Sequence, residues 1–348
     1  MTQPAVIHYR WDLDKTYLRT EFDSLRDLVR TFRATAEERE VVPGAPALLR
    51  ELLRPRGADG EPVRRVTFVS GSPRQMREVL TRRLALDGIE PDAFLLKPNL
   101  SNLLTLRLGA LRDQLGYKLD ALLSSRAAAE NVTEVLFGDD AEQDALVYSL
   151  YADIAGGRLG RTEVDRLLEV GRVYDRERRS IGEAMAQARP PVQVRRILIH
   201  LDRRSPVGRF DVYGERVVPI YNYFQAALVL HGDGLLPASS LTGVADAMVD
   251  EGYSVQRLVN SAQDLARRGR LDARTAELAV GAVSEAGTLL MRPSVWWAAD
   301  LVAGLRSLQL DGAAPLPEPS PALYETLVRA RSRYRSVPQV ARGIGWLE

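Results

Sequence analysis

Cysteine is absent from the 348-residue sequence, and only three histidines occur, His8, His200 and His231. The first absence excludes thiolate catalysis, disulfides, iron–sulfur clusters and every cysteine-containing zinc site. The second argues against a three-histidine metal site and leaves few candidates for the base of a serine triad. Lysine is nearly missing as well: 44 of the 47 basic residues are arginine, and the rest are Lys15, Lys97 and Lys118. Where a compact ammonium is needed and a planar guanidinium will not serve, one of these three must stand. Charge of either sign is not in excess, since the formal net charge is +1, so composition gives no argument for nucleic acid or an anionic membrane as partner. No stretch reaches the roughly 18 apolar residues that span a bilayer. Charged residues begin at Arg10 and Asp12, which leaves no room for an apolar signal-peptide core, and the expectation is a soluble, cytoplasmic protein.

What remains for chemistry is oxygen ligands and carboxylates. Apolar residues make up 45% of the chain, enough for a sizeable core in one large domain or two ordinary ones. Up to about residue 150, short apolar runs alternate with amphipathic helical stretches, the pattern of a parallel sheet covered by helices. Strands are expected at 5–11, 63–69, 93–96, 133–137 and 195–201, and helices at 23–40, 45–53 and 118–125. A further helix should begin at Ser72, an N-cap ahead of Pro73. The reading is an α/β fold with a doubly wound parallel sheet. Residues 1–205 form its domain with a helical insertion around 155–190, and 206–348 form a largely helical C-terminal region. Within the insertion, Thr162-Glu163-Val164-Asp165 resembles a capping box. Helices are expected at 223–230, 239–250, 255–268, 273–290, 294–308 and 323–334.

The polar residues fall at consistent places. Asp12 and Asp14, Ser70, Asp139 and Asp140, and Asp202 each lie just past the carboxyl end of an expected strand, the edge at which open parallel sheets bind ligands. Asp12-Leu13-Asp14-Lys15-Thr16 puts two carboxylates one residue apart. Such a pair suits phosphoryl transfer, one carboxylate attacking phosphorus and the other protonating the leaving oxygen. Two carboxylates and a phosphate repel one another, so a hard cation such as Mg²⁺ is also expected, with a ligand from Asp139 or Asp140.

These residues resemble the four motifs of the haloacid dehalogenase superfamily of phosphatases, in order: Asp12-Leu13-Asp14-Lys15-Thr16, then Phe68-Val69-Ser70, then Lys118, then Gly138-Asp139-Asp140 with Asp144. Within that superfamily, Val42-Pro43-Gly44, Ser70-Gly71-Ser72-Pro73 and the run from Gly138 through Glu142 and Asp144 to Tyr148 are closest to the actin-patch-type phosphatidate phosphatase catalytic domain. The resemblance implies Asp12 as nucleophile, Asp14 as general acid and base, Ser70 as a phosphoryl-oxygen ligand and Lys118 as the neutralising cation. It implies Mg²⁺ held through Asp12, Asp14 and Asp139, with Asp144 supporting the metal or the lysine. Thr16, Gly71, Ser72 and Arg74 would line the phosphate site. Three departures stand out: Lys15 replaces an aspartate, Gly71 and Arg74 replace asparagine and tryptophan, and Asp140 replaces serine.

The function expected from these residues is a Mg²⁺-dependent phosphomonoesterase working through an aspartyl-phosphate on a lipid phosphate such as phosphatidate at a membrane surface. Two alternatives stay open. One keeps the chemistry on a soluble nucleotide, sugar or polynucleotide phosphate, although neutral net charge counts against a long polynucleotide. The other is a non-catalytic binding or assembly protein of the same fold.

Overall fold

A computed structural model describes residues 5–20, 35–55, 61–97, 110–126, 131–187, 189–289, 297–310, 312 and 314–333. Six strands, β1 (Val6–Asp12), β2 (Val63–Pro73), β3 (Ala93–Lys97), β4 (Val132–Asp139), β5 (Gln193–His200) and β6 (Val217–Ile220), form one sheet in the order β3-β2-β1-β4-β5-β6. Every pairing is parallel. The strand order reverses between β1 and β4, which makes the crevice beyond their carboxyl ends the natural ligand site of such a sheet. Its register places Asp12 at the end of β1 and pairs Asp139 at the end of β4 with His200 of β5.

Alternation along the strands builds two apolar layers. Tyr9, Trp11, Phe68 and Leu198 point to one face. There they pack with α1 (Ala45–Leu53), α2 (Arg77–Leu86), α7 (Tyr223–Gly232), α8 (Ala238–Asp250), α9 (Val255–Arg267), α10 (Ala273–Leu289) and α11 (Ala298–Arg306). Leu136, Ile197 and Ile199 point to the other, against α3 (Ala110–Ser124), α4 (Asp144–Ala155), α5 (Arg161–Val170), α6 (Asp175–Ala186) and α12 (Pro321–Arg333). The helical C-terminal region therefore supplies much of one covering layer of the sheet. Trp297 is fully buried in that layer, its indole N–H donating to Asp246; Trp296 lies outside the described residues. Among the described residues no helix is long and apolar enough to cross a membrane.

Several local expectations are corrected. Ser72 does not cap a helix: β2 continues to Pro73 with a register shift between Ser70 and Pro73, a 3₁₀ turn follows at Arg74–Met76, and α2 begins only at Arg77. The Thr162 capping box does not form, because the chain enters α5 at Arg161 through an extended Gly160 with no side-chain cap. The helix expected to end near residue 40 falls mostly outside the described residues, and its described end is a turn in which Glu38 accepts from the Thr35 N–H. Lys118 stands in the middle of α3 instead of at a helix start. The strand Val217–Ile220 was not expected at all; Pro219 breaks the usual strand signature and is tolerated here because β6 is the sheet edge.

One buried polar cluster within the sheet is closely paired. Arg10 and Glu134, both fully buried, pair across β1 and β4 at 2.8 Å, and the Tyr151 hydroxyl donates to the same carboxylate at 2.6 Å. His8 is hydrogen-bonded to Thr67 at 2.8 Å. Burial, with Arg10 and Arg65 adding repulsion, lowers its pKa to about 3. The imidazole is thus neutral at ordinary pH, and its 3.7 Å approach to Glu134 is not an ion pair. From pH 6.5 down to about 3 the unfolded chain binds a proton that the folded chain refuses, so this group makes stability fall as pH falls. The stability difference between wild type and His8→Gln should change by about 1.4 kcal/mol per pH unit across that window in urea unfolding. Parallel curves for the two proteins would contradict the assignment.

Candidate active site

Asp12 ends β1 with its carboxylate buried at the crevice. Its Oδ1 accepts from Lys118 Nζ at 2.9 Å and its Oδ2 from the Thr16 hydroxyl at 3.2 Å. Lys118 crosses from α3 and is itself buried. Besides Asp12 it donates to Asp144 Oδ1 at 2.5 Å and pairs with Glu142 Oε2 at 2.8 Å. An ammonium has three N–H donors, and here all three have carboxylate partners. Asp14, two residues after Asp12, receives both the Ser70 and the Ser72 hydroxyls on its Oδ2 at 3.0 Å, and Ser70 in turn accepts from the Ser72 N–H at 2.9 Å. The extra length of β2 thus brings both serines to one carboxylate.

On the β4 side, Asp139 accepts from the Ala141 and Glu142 N–H groups through Oδ1, whereas its buried Oδ2 has no hydrogen-bond partner. One oxygen from each of Asp12, Asp139 and Asp144 lies within 4.8 Å of the others. Gly138 permits this: a Cβ there would stand 2.5 Å from Asp144 Oδ2 and 2.6 Å from its Cβ. Asp140 points elsewhere, its two oxygens accepting from the Arg203 and Ser205 N–H groups at 2.8 Å, so it braces the loop after β5 and the acid that joins the cluster is Asp144. Lys15 adopts a left-handed φ of 62° and pairs with Asp202 at 3.6 Å. Lys97 lies over the Tyr117 ring at 5.6 Å, so the lysine on Asp12 is Lys118. Gly71 has open space around its Cβ position and Arg74 is exposed.

Electrostatics follow from this crowding. Burial raises the pKa of Asp12, with Lys118 opposing and Asp144, Glu142 and Asp139 reinforcing the shift. Asp139 is raised in the same way by burial and by Asp144 and Glu142. Asp14 is raised by burial and Glu142 against the pull of Ser70 and Ser72. Asp144 is pushed up to about 6, again chiefly by burial. For Lys118 burial favours the neutral amine, but Asp12, Asp144 and Glu142 outweigh it and hold the group as an ammonium. Asp12, Asp14, Asp139, Glu142 and Asp144 thus gather around the Lys118 ammonium, with the Arg39 charge bearing on Asp14. An orphaned Asp139 oxygen beside two further carboxylates, in a site with surplus negative charge, fits a hard divalent cation.

Glu142 and Arg39 were not expected as site residues. Glu142 lay inside the fourth motif, and its acidity beside Asp144 was the available signal; nothing in the sequence singles out Arg39. Adding a methyl at Gly138 should displace Asp144 and cost about 1–3 kcal/mol by overpacking. Gly71→Ala, in open space, should stay within about 0.5 kcal/mol of wild type. Urea unfolding of the two variants checks this, and equal stabilities would contradict the packing described.

The match to known proteins falls on the same residues. Residues 11–160 match the family model of the phosphatidate phosphatase APP1 catalytic domain. No curated protein and no solved structure matches the chain. The match covers the segment that carries Asp12, Asp14, Ser70, Lys118, Asp139 and Asp144, and it indicates a phosphatase, a hydrolase of phosphoric monoesters.

Proposed function

We propose that this site hydrolyses a phosphomonoester in two steps through an aspartyl-phosphate on Asp12. The supporting observation is Lys118, whose ammonium touches Asp12 and Asp144 together at the reversal point of the sheet. The motif resemblance assigns the nucleophile to Asp12 and the proton transfer to Asp14, and the surroundings of each suit the role. Thr16 and Lys118 orient the two oxygens of Asp12, leaving it fixed for attack on phosphorus. Burial favours the protonated form of Asp14, which is the form that donates to the leaving oxygen as its bond to phosphorus breaks. The Asp14 carboxylate then takes the proton of the water that attacks the phosphorus of the aspartyl-phosphate, releasing inorganic phosphate and restoring Asp12. Lys118 stabilises negative charge on the transferring group. Ser70 and Ser72 hold Asp14, and Ser70 turns to a phosphoryl oxygen when substrate is present. Gly71 leaves open space beside them and Arg74 stands at the rim.

Asp12, Asp139 and Asp144, with the Asp14 backbone oxygen, would hold Mg²⁺. When bound, that ion supplies positive charge that lets phosphate and carboxylates share one site. The substrate class proposed is a lipid phosphate such as phosphatidate, presented at a membrane surface. The support for this is the family match together with the resemblance of the Val42-Pro43-Gly44 and Ser70-Gly71-Ser72-Pro73 segments.

Phosphate release from phosphatidate in mixed micelles and from soluble nucleotide and sugar phosphates, with and without Mg²⁺, tests the reading. Asp12→Asn should abolish release, and a chelator should reduce wild type to the same level. Lys118→Arg should lower kcat/KM by about a hundredfold or more, whereas Lys97→Arg should stay within about threefold. Activity retained by Asp12→Asn contradicts the mechanism. A soluble ester turned over faster than phosphatidate contradicts the lipid assignment alone.

A further inference from the structure

The turn that follows the nucleophile is held from the far half of the chain. Lys15 sits at φ 62°, a left-handed conformation that is strained for a side-chain-bearing residue. Bonds within the turn run from the Lys15 N–H to Leu18 O at 2.7 Å and from the Leu18 N–H to Leu13 O at 2.8 Å. None of these bonds is accepted by the carbonyls of Lys15 or Thr16, which take their donors from elsewhere. His200, the last residue of β5, donates from Nδ1 to Lys15 O at 3.0 Å. Tyr223, the first residue of α7, donates its hydroxyl to Thr16 O. The two rings stack on each other at 5.7 Å and 21°, and Tyr223 also stacks on Trp11, the neighbour of Asp12, at 5.7 Å and 26°. Lys15 itself reaches Asp202, two residues past His200. Burial pushes the His200 pKa down, so the ring is neutral, and facing a carbonyl it carries its single proton on Nδ1. All three of these contacts come from residues beyond the 11–160 segment that matches the phosphatase family.

We propose that His200 and Tyr223 are positioning residues of the phosphatase site: by donating to two consecutive carbonyls they fix the Lys15–Thr16 turn and hence the relative placement of Asp12, Asp14 and Thr16. This rests on the two-step reading above. The turn carries Asp14 immediately before Lys15 and carries Thr16, whose hydroxyl orients Asp12. Loss of either donor leaves a buried carbonyl unsatisfied and lets the left-handed residue relax. A displacement of about 1 Å in such a constellation costs up to roughly a hundredfold in rate. The phosphatase segment is therefore incomplete without β5 and α7, which the family match does not cover.

Three substitutions in the full-length protein separate positioning from bulk stability. Tyr223→Phe removes one hydroxyl and keeps the ring. His200→Phe keeps a ring on Tyr223 and removes the donor. His200→Asn restores an amide N–H close to the place of Nδ1. On a soluble phosphate ester with Mg²⁺, both phenylalanine variants should lose roughly tenfold or more in kcat with KM within about twofold, and His200→Asn should recover most of the loss. Hydrogen exchange of the amides at 13–18 should speed up in both phenylalanine variants and not in His200→Asn. Wild-type kcat and wild-type exchange in both phenylalanine variants would overturn the proposal. So would a loss that His200→Asn fails to rescue and that follows the thermal midpoint. If the wild type itself releases phosphate from no ester, the two-step reading fails, and the exchange measurement decides the clamp alone: unchanged exchange in Tyr223→Phe overturns it.

Discussion

A single buried ammonium organises the carboxyl edge of the sheet in this protein. Lys118 reaches from the middle of α3 to Asp12 on β1, to Asp144 at the start of α4 and to Glu142 in the turn between β4 and α4. Without it, the buried Asp12 and Asp144 carboxylates would have no adjacent cation, which is prohibitive at low dielectric. With it, the carboxylates still outnumber the cations, and Asp139 keeps a buried oxygen unused. The same arrangement therefore makes the unliganded site tolerable and leaves it receptive to further positive charge. Arginine could not take this place: a planar fork suits one or two coplanar acceptors, and here three carboxylates converge on one nitrogen. In a chain that otherwise uses arginine almost throughout, the lysine marks a geometric demand.

The sheet makes that convergence possible. Because β1 and β4 are neighbours at the reversal of strand order, Asp12 and Asp139 end side by side although they lie far apart in sequence. Gly138 then lets Asp144 fold back against the strand it has just left. The other flank is closed by residues that carry no phosphatase motif. β5 and α7 meet the loop after Asp12 through His200 and Tyr223, and the helices that follow α7 bury the face of the sheet that bears Trp11. The carboxyl edge of the sheet and the C-terminal helices thus share one core, and the aromatic stack Phe137–Trp11–Tyr223–His200 runs between them.

Much of this was legible in the sequence, for identifiable reasons. Asp12, Asp14 and Asp139 could be placed at one edge because residue type and position at strand ends agreed, whereas Lys118 and Asp144 were singled out only by the motif resemblance. The five strands expected from short apolar runs were readable too, as was the helical character of the C-terminal region. What escaped depended on partners distant in sequence. His200 and Tyr223 are ordinary residues until the fold places them against two carbonyls, and Arg39 acquires its bearing on Asp14 only through tertiary structure. Ser72-Pro73 has the local chemistry of a helix start, yet the pull of Asp14 on both serine hydroxyls keeps the chain extended. Val217–Ile220 is short and contains a proline, so its strand character exists only by pairing with β5.

The central claim is that Asp12 becomes covalently phosphorylated during turnover, and it can be tested at the atom concerned. The reaction with a phosphate ester would be quenched in acid within one turnover and treated with borohydride, and the peptide spanning β1 analysed by mass spectrometry. Borohydride reduces an aspartyl-phosphate to homoserine, so the account predicts homoserine at position 12, dependent on substrate and absent from a Lys118→Met protein. Unmodified aspartate at position 12 under conditions of rapid phosphate release, or modification at another residue, would contradict it.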